Sequence, residues 1–258
     1  MTNNIKVIGI LNCDTDSGED WIHNVTPMTI GVLAEELDLQ EKLSFRIFDA
    51  HRSIFPDRHE HLDGIIITGG ATNILTYQPD SDSWVTELRH YLENALRTNT
   101  PVLGVCFGSQ AITAVFGGEV RPIGNDNDGN VIYERGFREI NLTEEGRTSP
   151  IFESFPQVFC AAESHRNRVT RLPEGAALLA QNDFGIQAYS LIDGARRIYA
   201  VQFHPEIYGP ALVRSLQRHG HAELVEKTKA KYARSNGNFA RRVYHNWARN
   251  VVLPATQR

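Results

Sequence analysis

Three short segments carry residue types that could do chemistry together. Residues 102–110 read Val-Leu-Gly-Val-Cys-Phe-Gly-Ser-Gln, so an apolar run enters a cysteine flanked by Gly104 and Gly108. A helical pattern of Ala111, Ile112, Val115 and Phe116 follows at once. This is the sequence form of a nucleophile elbow, a sharp strand-to-helix turn whose small neighbours let backbone crowd in. The helix N-terminus beneath it favours thiolate over thiol, which makes Cys106 a candidate nucleophile. The second segment is Gln202-Phe203-His204-Pro205-Glu206, after the apolar run Ile198–Val201. His204 can take the thiol proton and return it to a leaving amine, and Glu206 can orient the ring through its other nitrogen. Pro205 stiffens the link by fixing its own backbone angle. The third segment, Thr68-Gly69-Gly70, ends another apolar run. A backbone N–H from that turn, with that of Phe107, could serve a developing oxyanion.

Each feature alone has an inert reading, as a buried small hydrophobe, a loop or a turn. Three of them, each at the end of an apolar run, outweigh it. Open α/β sheets place their ligands at the C-terminal ends of the strands, so the surrounding elements must bring these ends to one edge. Ile5–Leu11 has the continuous apolar form of a doubly covered parallel strand, and Phe45–Phe48, Gly64–Thr68 and Pro101–Val105 read as further strands. Thr26-Pro27 supplies an N-cap and first-turn proline for a helix through Ile30, Leu33, Ala34 and Leu37. Asp82 or Ser83 can cap a helix bearing Trp84, Leu88, Leu92, Ala95 and Leu96. This alternation predicts an α/β protein with a doubly wound, mostly parallel central sheet flanked by helices.

Beyond Gly117-Gly118 the rhythm changes. Strand-like runs near 136–142, 157–162, 176–180, 186–191 and 197–203 are separated by little helix and predict added antiparallel strands. Gly124–Asn130 is a polar loop, expected to be mobile. Leu212, Val213 and Leu216 form one amphipathic stretch; Phe239, Val243, Trp247 and Val251 form another at four-residue spacing. That second stripe should dock on the core or on a second protomer. With no repeat, low-complexity tract or linker in view, the reading is a single domain over residues 1–258. Its core spans about 5–215, with a helical extension over about 216–258.

Composition narrows the function classes. The chain has 258 residues, 41% hydrophobic and 22% charged, an ordinary globular mix. The net charge of −5 argues against a nucleic-acid partner. Cys13, Cys106 and Cys160 are odd in number and contain no Cys-x-x-Cys pair, so neither a disulfide framework nor a zinc knuckle is expected. A thiol nucleophile points to a reducing, cytoplasmic setting; neither a signal peptide nor an apolar run of membrane length is visible. Asp49, His51, Asp57, His59, His61 and Asp63 cluster in sequence but fit no zinc spacing, so a solvated connection is expected, with no metal and no cofactor. Cys13 and Cys160 read as inert fillers. The loop Cys13–Val25, with Trp21 and His23, lies at the active-site edge. Trp21 either packs under its own loop or lines a pocket for a leaving group larger than ammonia.

Taken together, Gly104-Val105-Cys106-Phe107-Gly108-Ser109-Gln110, Thr68-Gly69-Gly70 and His204-Pro205-Glu206 resemble the triad-type (class I) glutamine amidotransferase domain. Gly136-Phe137-Arg138-Glu139-Ile140, Leu142-Thr143-Glu144-Glu145-Gly146 and Glu163-Ser164-His165-Arg166 are similar to the glutaminase domain of GMP synthase and its stand-alone relatives. The resemblance covers about residues 5–215 and implies a flavodoxin-like fold. It implies that Cys106 forms a γ-glutamyl thioester, with His204 as base and acid and Glu206 orienting it. Gly70 and Phe107 would supply oxyanion N–H groups, while Gly69, Gln110, Ser164 and His165 would help hold the glutamyl end. The family often has proline and a small residue after Gly-Gly, whereas Ala71-Thr72-Asn73 stands here. The chain carries neither a synthase domain nor a P-loop signature. The expectation is thus hydrolysis of a small-molecule γ-glutamyl amide. The alternative is a glutaminase subunit passing ammonia to a synthase partner; a homo-oligomer is compatible with either.

Overall fold

The computed structural model describes residues 5–14, 25–35, 37–57, 59–76, 83–95, 98–194, 196–234 and 239–255. Trp21 and His23 of the Cys13–Val25 loop, together with Asp82 and Leu96, lie outside the described residues. Four parallel strands come first: β1 (Lys6–Leu11), β2 (Leu43–Phe48), β3 (Gly64–Ile67) and β4 (Val102–Val105). Strands β5 (Glu119–Pro122), β6 (Glu134–Leu142), β7 (Val158–His165), β8 (Asn167–Arg171), β9 (Ala177–Asn182), β10 (Gly185–Asp193) and β11 (Arg196–Val201) follow. They join one sheet in the order β2-β1-β3-β4-β11-β10-β9-β6-β7, with β8 pairing β10 and β5 pairing β8. The parallel part runs from β2 to β11; from β11 onward every pairing is antiparallel. The doubly wound parallel sheet with an antiparallel annex is therefore as expected. The short β5 and β8 were not anticipated, because four or five residues with charged alternates (Glu119, Arg121; Arg168, Arg171) give no strong period.

Parallel strands need both faces covered, and the side chains alternate accordingly. Ile65 and Ile67, Val102, and Ile198 and Ala200 face one apolar cluster; Ile66, Leu103 and Val105, and Tyr199 and Val201 face the other. Helices α1 (Val25–Leu33) and α2 (Leu37–Gln40) precede β2. Thr26 sits inside α1 rather than capping it, and its hydroxyl bonds the Asn12 side chain at 3.1 Å. The expected helical run through Leu37 breaks at a turn over Ala34 and Glu35. Helix α3 (Trp84–Ala95) is capped by Ser83, whose hydroxyl accepts from the Thr86 N–H at 3.4 Å. Helix α4 (Phe107–Val115) follows β4 directly and packs with α3 on the first face. The polar loop at 124–130 is tied by Asp126, which accepts from the N–H groups of Asp128 and Asn130.

After the short α5 (Glu144–Thr148) the chain returns to helix only beyond β11, in α6 (Gly209–Arg218), α7 (Ala222–Arg234) and α8 (Arg242–Trp247). A π-turn over Ala248–Val252 continues α8. The α7 helix has a weak apolar face and carried no clear sequence signal. The stripe of Phe239, Val243, Trp247 and Val251 packs into the cluster on the second sheet face, beside Val32 and Leu33 of α1. The C-terminal segment therefore docks on the core, which decides that choice. Gly64 makes this possible: a Cβ there would lie 2.8 Å from the Trp247 ring. The fully buried Trp247 side chain alone represents about 4–6 kcal/mol of transfer free energy before entropy is counted. Replacing Trp247 with Ala should cost about 3–5 kcal/mol of unfolding free energy, measured by urea denaturation. A loss under ~1 kcal/mol would show that this segment does not seal the sheet face.

Candidate functional site

Strand β4 runs into Cys106, and the turn there is tight. Cys106 has φ 49° and ψ −103°, a left-handed conformation that an L-residue adopts only when its surroundings force it. The surroundings are backbone packed without side chains between. A Cβ on Gly108 would lie 2.3 Å from the Ile67 carbonyl oxygen, and one on Gly104 would lie 2.9 Å from Gly108. Glycine at both positions lets α4 start directly against β3 and β4. The first-turn N–H groups of α4 then point toward the pocket side, with no intrahelical acceptor of their own.

The neighbouring parallel strand β11 delivers the second group. Val105 pairs with Val201, and the Cys106 N–H donates to the Val201 carbonyl at 2.8 Å. Beyond that pairing, the His204 N–H donates to Ala162 of β7 at 2.9 Å, so the antiparallel annex fixes the loop after β11. His204 faces the Cys106 thiol and, through Nδ1, donates to a Glu206 carboxylate oxygen at 2.6 Å. Burial alone would lower the imidazole's proton affinity, but the facing Cys106 and Glu206 charges outweigh it and hold His204 well above its ordinary range. Gly69 leaves room for the ring, since a Cβ there would lie 2.8 Å from His204 Cε1. The other oxygen of Glu206 accepts from the Tyr244 hydroxyl at 3.1 Å.

Cys106, His204, Gly70, Phe107, Gln110, Ser164 and His165 all line one cavity of about 440 Å³. Gln110 has its amide nitrogen held by the Asn167 carbonyl and the Gln202 side chain, each at 3.2 Å. Gln202 in turn aims its amide at Cys106 Sγ, 3.7 Å away. Asn167 joins three walls. Its carbonyl accepts from Gln110 and faces His165 Nδ1 at 2.8 Å, and its side chain donates to Asn73 at 2.7 Å. The unusual Ala71-Thr72-Asn73 segment is thereby tied to β8. Gln202, Asn167 and Tyr244 were not singled out from the sequence. Gln202 stood in a quoted motif, whereas a lone Asn in a short strand and a Tyr in an apolar stripe carry no signal.

A second buried cluster adjoins the first. His165 Nε2 lies 3.1 Å from both Glu134 Oε2 and Glu163 Oε2. Both ring nitrogens face oxygen atoms, an arrangement that favours the imidazolium form. Burial opposes that charge, yet the two carboxylates raise His165 to about 10. Glu134 is braced by Asn182 at 2.6 Å and Gln187 at 2.9 Å. Burial, then repulsion from Glu134, pushes Glu163 up to about 7. These three side chains present atoms close enough to share a cation, and the His165 proton already fills that role. Of the histidine–aspartate run, Asp63 pairs with Lys6 at 3.0 Å and accepts from Val7 N–H, a structural use. Cys13 is buried, which raises its thiol.

The Glu163 carboxyl binds its proton more tightly folded than unfolded. Its contribution to stability is therefore complete at acid pH and is lost as pH rises toward and through about 7. Glu163→Gln should accordingly gain on the parent protein between pH 5 and pH 8, by about 2 kcal/mol in urea midpoints converted to free energy. A parallel pH dependence of the two proteins would show that Glu163 does not titrate in this range.

The chain is 34% identical over 148 residues to a γ-glutamyl-L-1-hydroxyisopropylamide hydrolase from Pseudomonas sp., covering 57% of this chain and 48% of that protein. It is 29% identical over 151 residues to the glutamine-hydrolysing GMP synthase subunit of Methanocaldococcus jannaschii, covering 58% and 68%. This chain therefore spans about half the length of the hydrolase. Among solved structures, a glutamine amidotransferase from Thermotoga maritima superimposes with TM-score 0.65 at 16% identity, covering 95% of this chain and 97% of the other. That likeness shows the fold. Residues 39–218 match the family described as glutamine amidotransferase class-I. The chain belongs to the class I glutamine amidotransferases.

Proposed function

We propose that the protein hydrolyses a γ-glutamyl amide through a γ-glutamyl thioester on Cys106. One observation carries this reading: a strained cysteine facing a histidine that a carboxylate holds, both at the wall of a ligand-sized cavity. His204 takes the thiol proton, and Cys106 Sγ attacks the γ-carbonyl carbon to form a C–S bond and an oxyanion. Gly70 and Phe107 N–H groups are the donors available to that oxyanion. Collapse breaks the C–N bond while His204 gives its proton to the departing nitrogen, releasing ammonia or an amine. Water enters, loses a proton to His204 and attacks the thioester; the C–S bond breaks, glutamate leaves and the thiol is restored. His165, held as imidazolium on the cavity wall, adds positive potential that favours the thiolate.

The leaving group divides two versions of this reaction. Similarity to the Pseudomonas hydrolase and the size of the cavity, which lies in the range of small-molecule sites, favour an amine larger than ammonia. Beyond the cysteine the cavity walls carry Tyr133, Arg135, Leu212, Leu216 and His219, room for such a group. Similarity to the GMP synthase glutaminase favours the other version, in which glutamine is the substrate and ammonia passes to a synthase partner.

The purified protein, offered glutamine and a series of γ-glutamyl alkylamides, should release glutamate with the highest kcat/KM on a bulky amide. Cys106→Ala should lower that rate by about 10⁴-fold or more while the thermal transition stays in place. Undiminished turnover by the variant would overturn the thioester route, and strict preference for glutamine would select the ammonia-donor version.

A further inference from the structure

The family match ends at residue 218, yet a side chain from beyond it reaches the candidate triad. Tyr244, in α8, places its hydroxyl 3.1 Å from Glu206 Oε2, while the other oxygen of that carboxylate lies 2.6 Å from His204 Nδ1. The same hydroxyl lies 3.1 Å from Thr29 Oγ1 in α1. Tyr244 and Thr29 are fully buried and Glu206 is 2% exposed. An ionised carboxylate only accepts, so Tyr244 must donate to Glu206, and Thr29 can then donate to Tyr244. The result is a carboxylate held from two sides: Thr29 and Tyr244 donate toward one oxygen of Glu206, and His204, which faces Cys106, donates to the other.

We propose that Tyr244 is a positioning residue of the reaction, through which the C-terminal segment holds the triad carboxylate in register with the imidazole. The proposal builds on the thioester reading above. Its physical basis is the isolation of Glu206. The carboxylate lies in the interior, where a buried oxygen left without a donor is costly. His204 supplies one donor and Tyr244 the other, and no further hydrogen bond to Glu206 is formed among the described residues. Remove the phenol oxygen and the ionised form of Glu206 loses half its donors. The carboxylate then turns away from the ring, and the His204 proton that faces Cys106 is held less firmly. The other ionisable groups near this site are Cys106, which faces His204, Glu163, which faces His204 from β7, and His165, which faces Cys106. All three remain in the variant.

Tyrosine also packs, so the test must separate position from packing. Tyr244→Phe keeps the ring and deletes the donor. Val243→Ala alters the same helix at a fully buried side chain that does not touch Glu206. Two readouts are needed: kcat and KM on the preferred γ-glutamyl amide, and the pH dependence of Cys106 alkylation by iodoacetamide, followed on the Cys106 peptide by mass spectrometry. Tyr244→Phe should lower kcat about ten-fold with KM within two-fold, and move the acid limb of alkylation up by about one pH unit. Val243→Ala should lower Tm and leave the alkylation limb in place. In a Glu206→Ala background, Tyr244→Phe should have no further effect on the limb, because the group it holds is gone. The proposal is overturned if the limb of Tyr244→Phe coincides with that of the parent protein, if Val243→Ala moves it equally, or if the shift persists without Glu206. Alkylation requires no substrate, so a failure of the γ-glutamyl reading would leave this result readable by itself.

Discussion

The site depends on one backbone pairing, the parallel contact of β4 with β11 that ends in the bond from the Cys106 N–H to the Val201 carbonyl. This pairing sets the strand that ends at Cys106 beside the strand that leads to His204, although the two are far apart in sequence. It also constrains the elbow. Once Cys106 donates to β11, α4 must begin within a residue of the strand end, and the cysteine is driven to positive φ. The strain is sustained by packing on all sides, with Gly108 against Ile67 and Gly104 against Gly108. A parallel pair slipped by one residue would turn Cys106 and His204 to opposite faces. Alternation of Leu103 and Val105 against Val102, and of Tyr199 and Val201 against Ile198 and Ala200, makes that slip prohibitive, because each set belongs to a different apolar layer.

Electrostatics at the site follow from the same crowding. Two histidines sit near one thiol, and each is held charged by carboxylates against the penalty of burial. They differ in what they can do. His204 faces the thiol and donates to one carboxylate, the placement that the proposed proton transfers need. His165 is wedged between Glu134 and Glu163 with its other nitrogen on the Asn167 carbonyl, so its proton has nowhere useful to go. One imidazole is suited to transfer and the other to a fixed field. The excess negative charge of the second cluster is relieved by the proton Glu163 retains up to about pH 7.

The elbow, the Gly-Gly turn and the His-Pro-Glu segment were legible because backbone geometry dictates them. Glycine where backbones touch and apolar runs ending in polar residues are local requirements. The parallel sheet was legible for the same reason, since doubly covered strands such as Ile5–Leu11 read as unbroken apolar runs. What escaped notice depends on partners distant in sequence. Asn167 matters only because Asn73, Gln110 and His165 converge on it. Glu134 resembles a surface strand residue until β6 pairs with β7 and sets it opposite His165. Trp247 and Val243 were recognisable as members of an apolar face, but whether that face met the core or another protomer is a question of tertiary packing alone.

The C-terminal segment shows how stability and chemistry become one property here. Trp247 and Val243 seal the sheet face that α1 covers only in part, and this burial carries most of the free energy that holds α8 in place. Tyr244 lies between them in the chain and faces the opposite end of the same interface, where Thr29 and Glu206 are. A hydrogen bond of 3.1 Å could not by itself order a helix, because its net worth is small beside the backbone entropy lost. The apolar neighbours bear that entropy cost, and the phenol arrives already oriented. Local opening of α8 would therefore expose Trp247 and release the triad carboxylate in a single event.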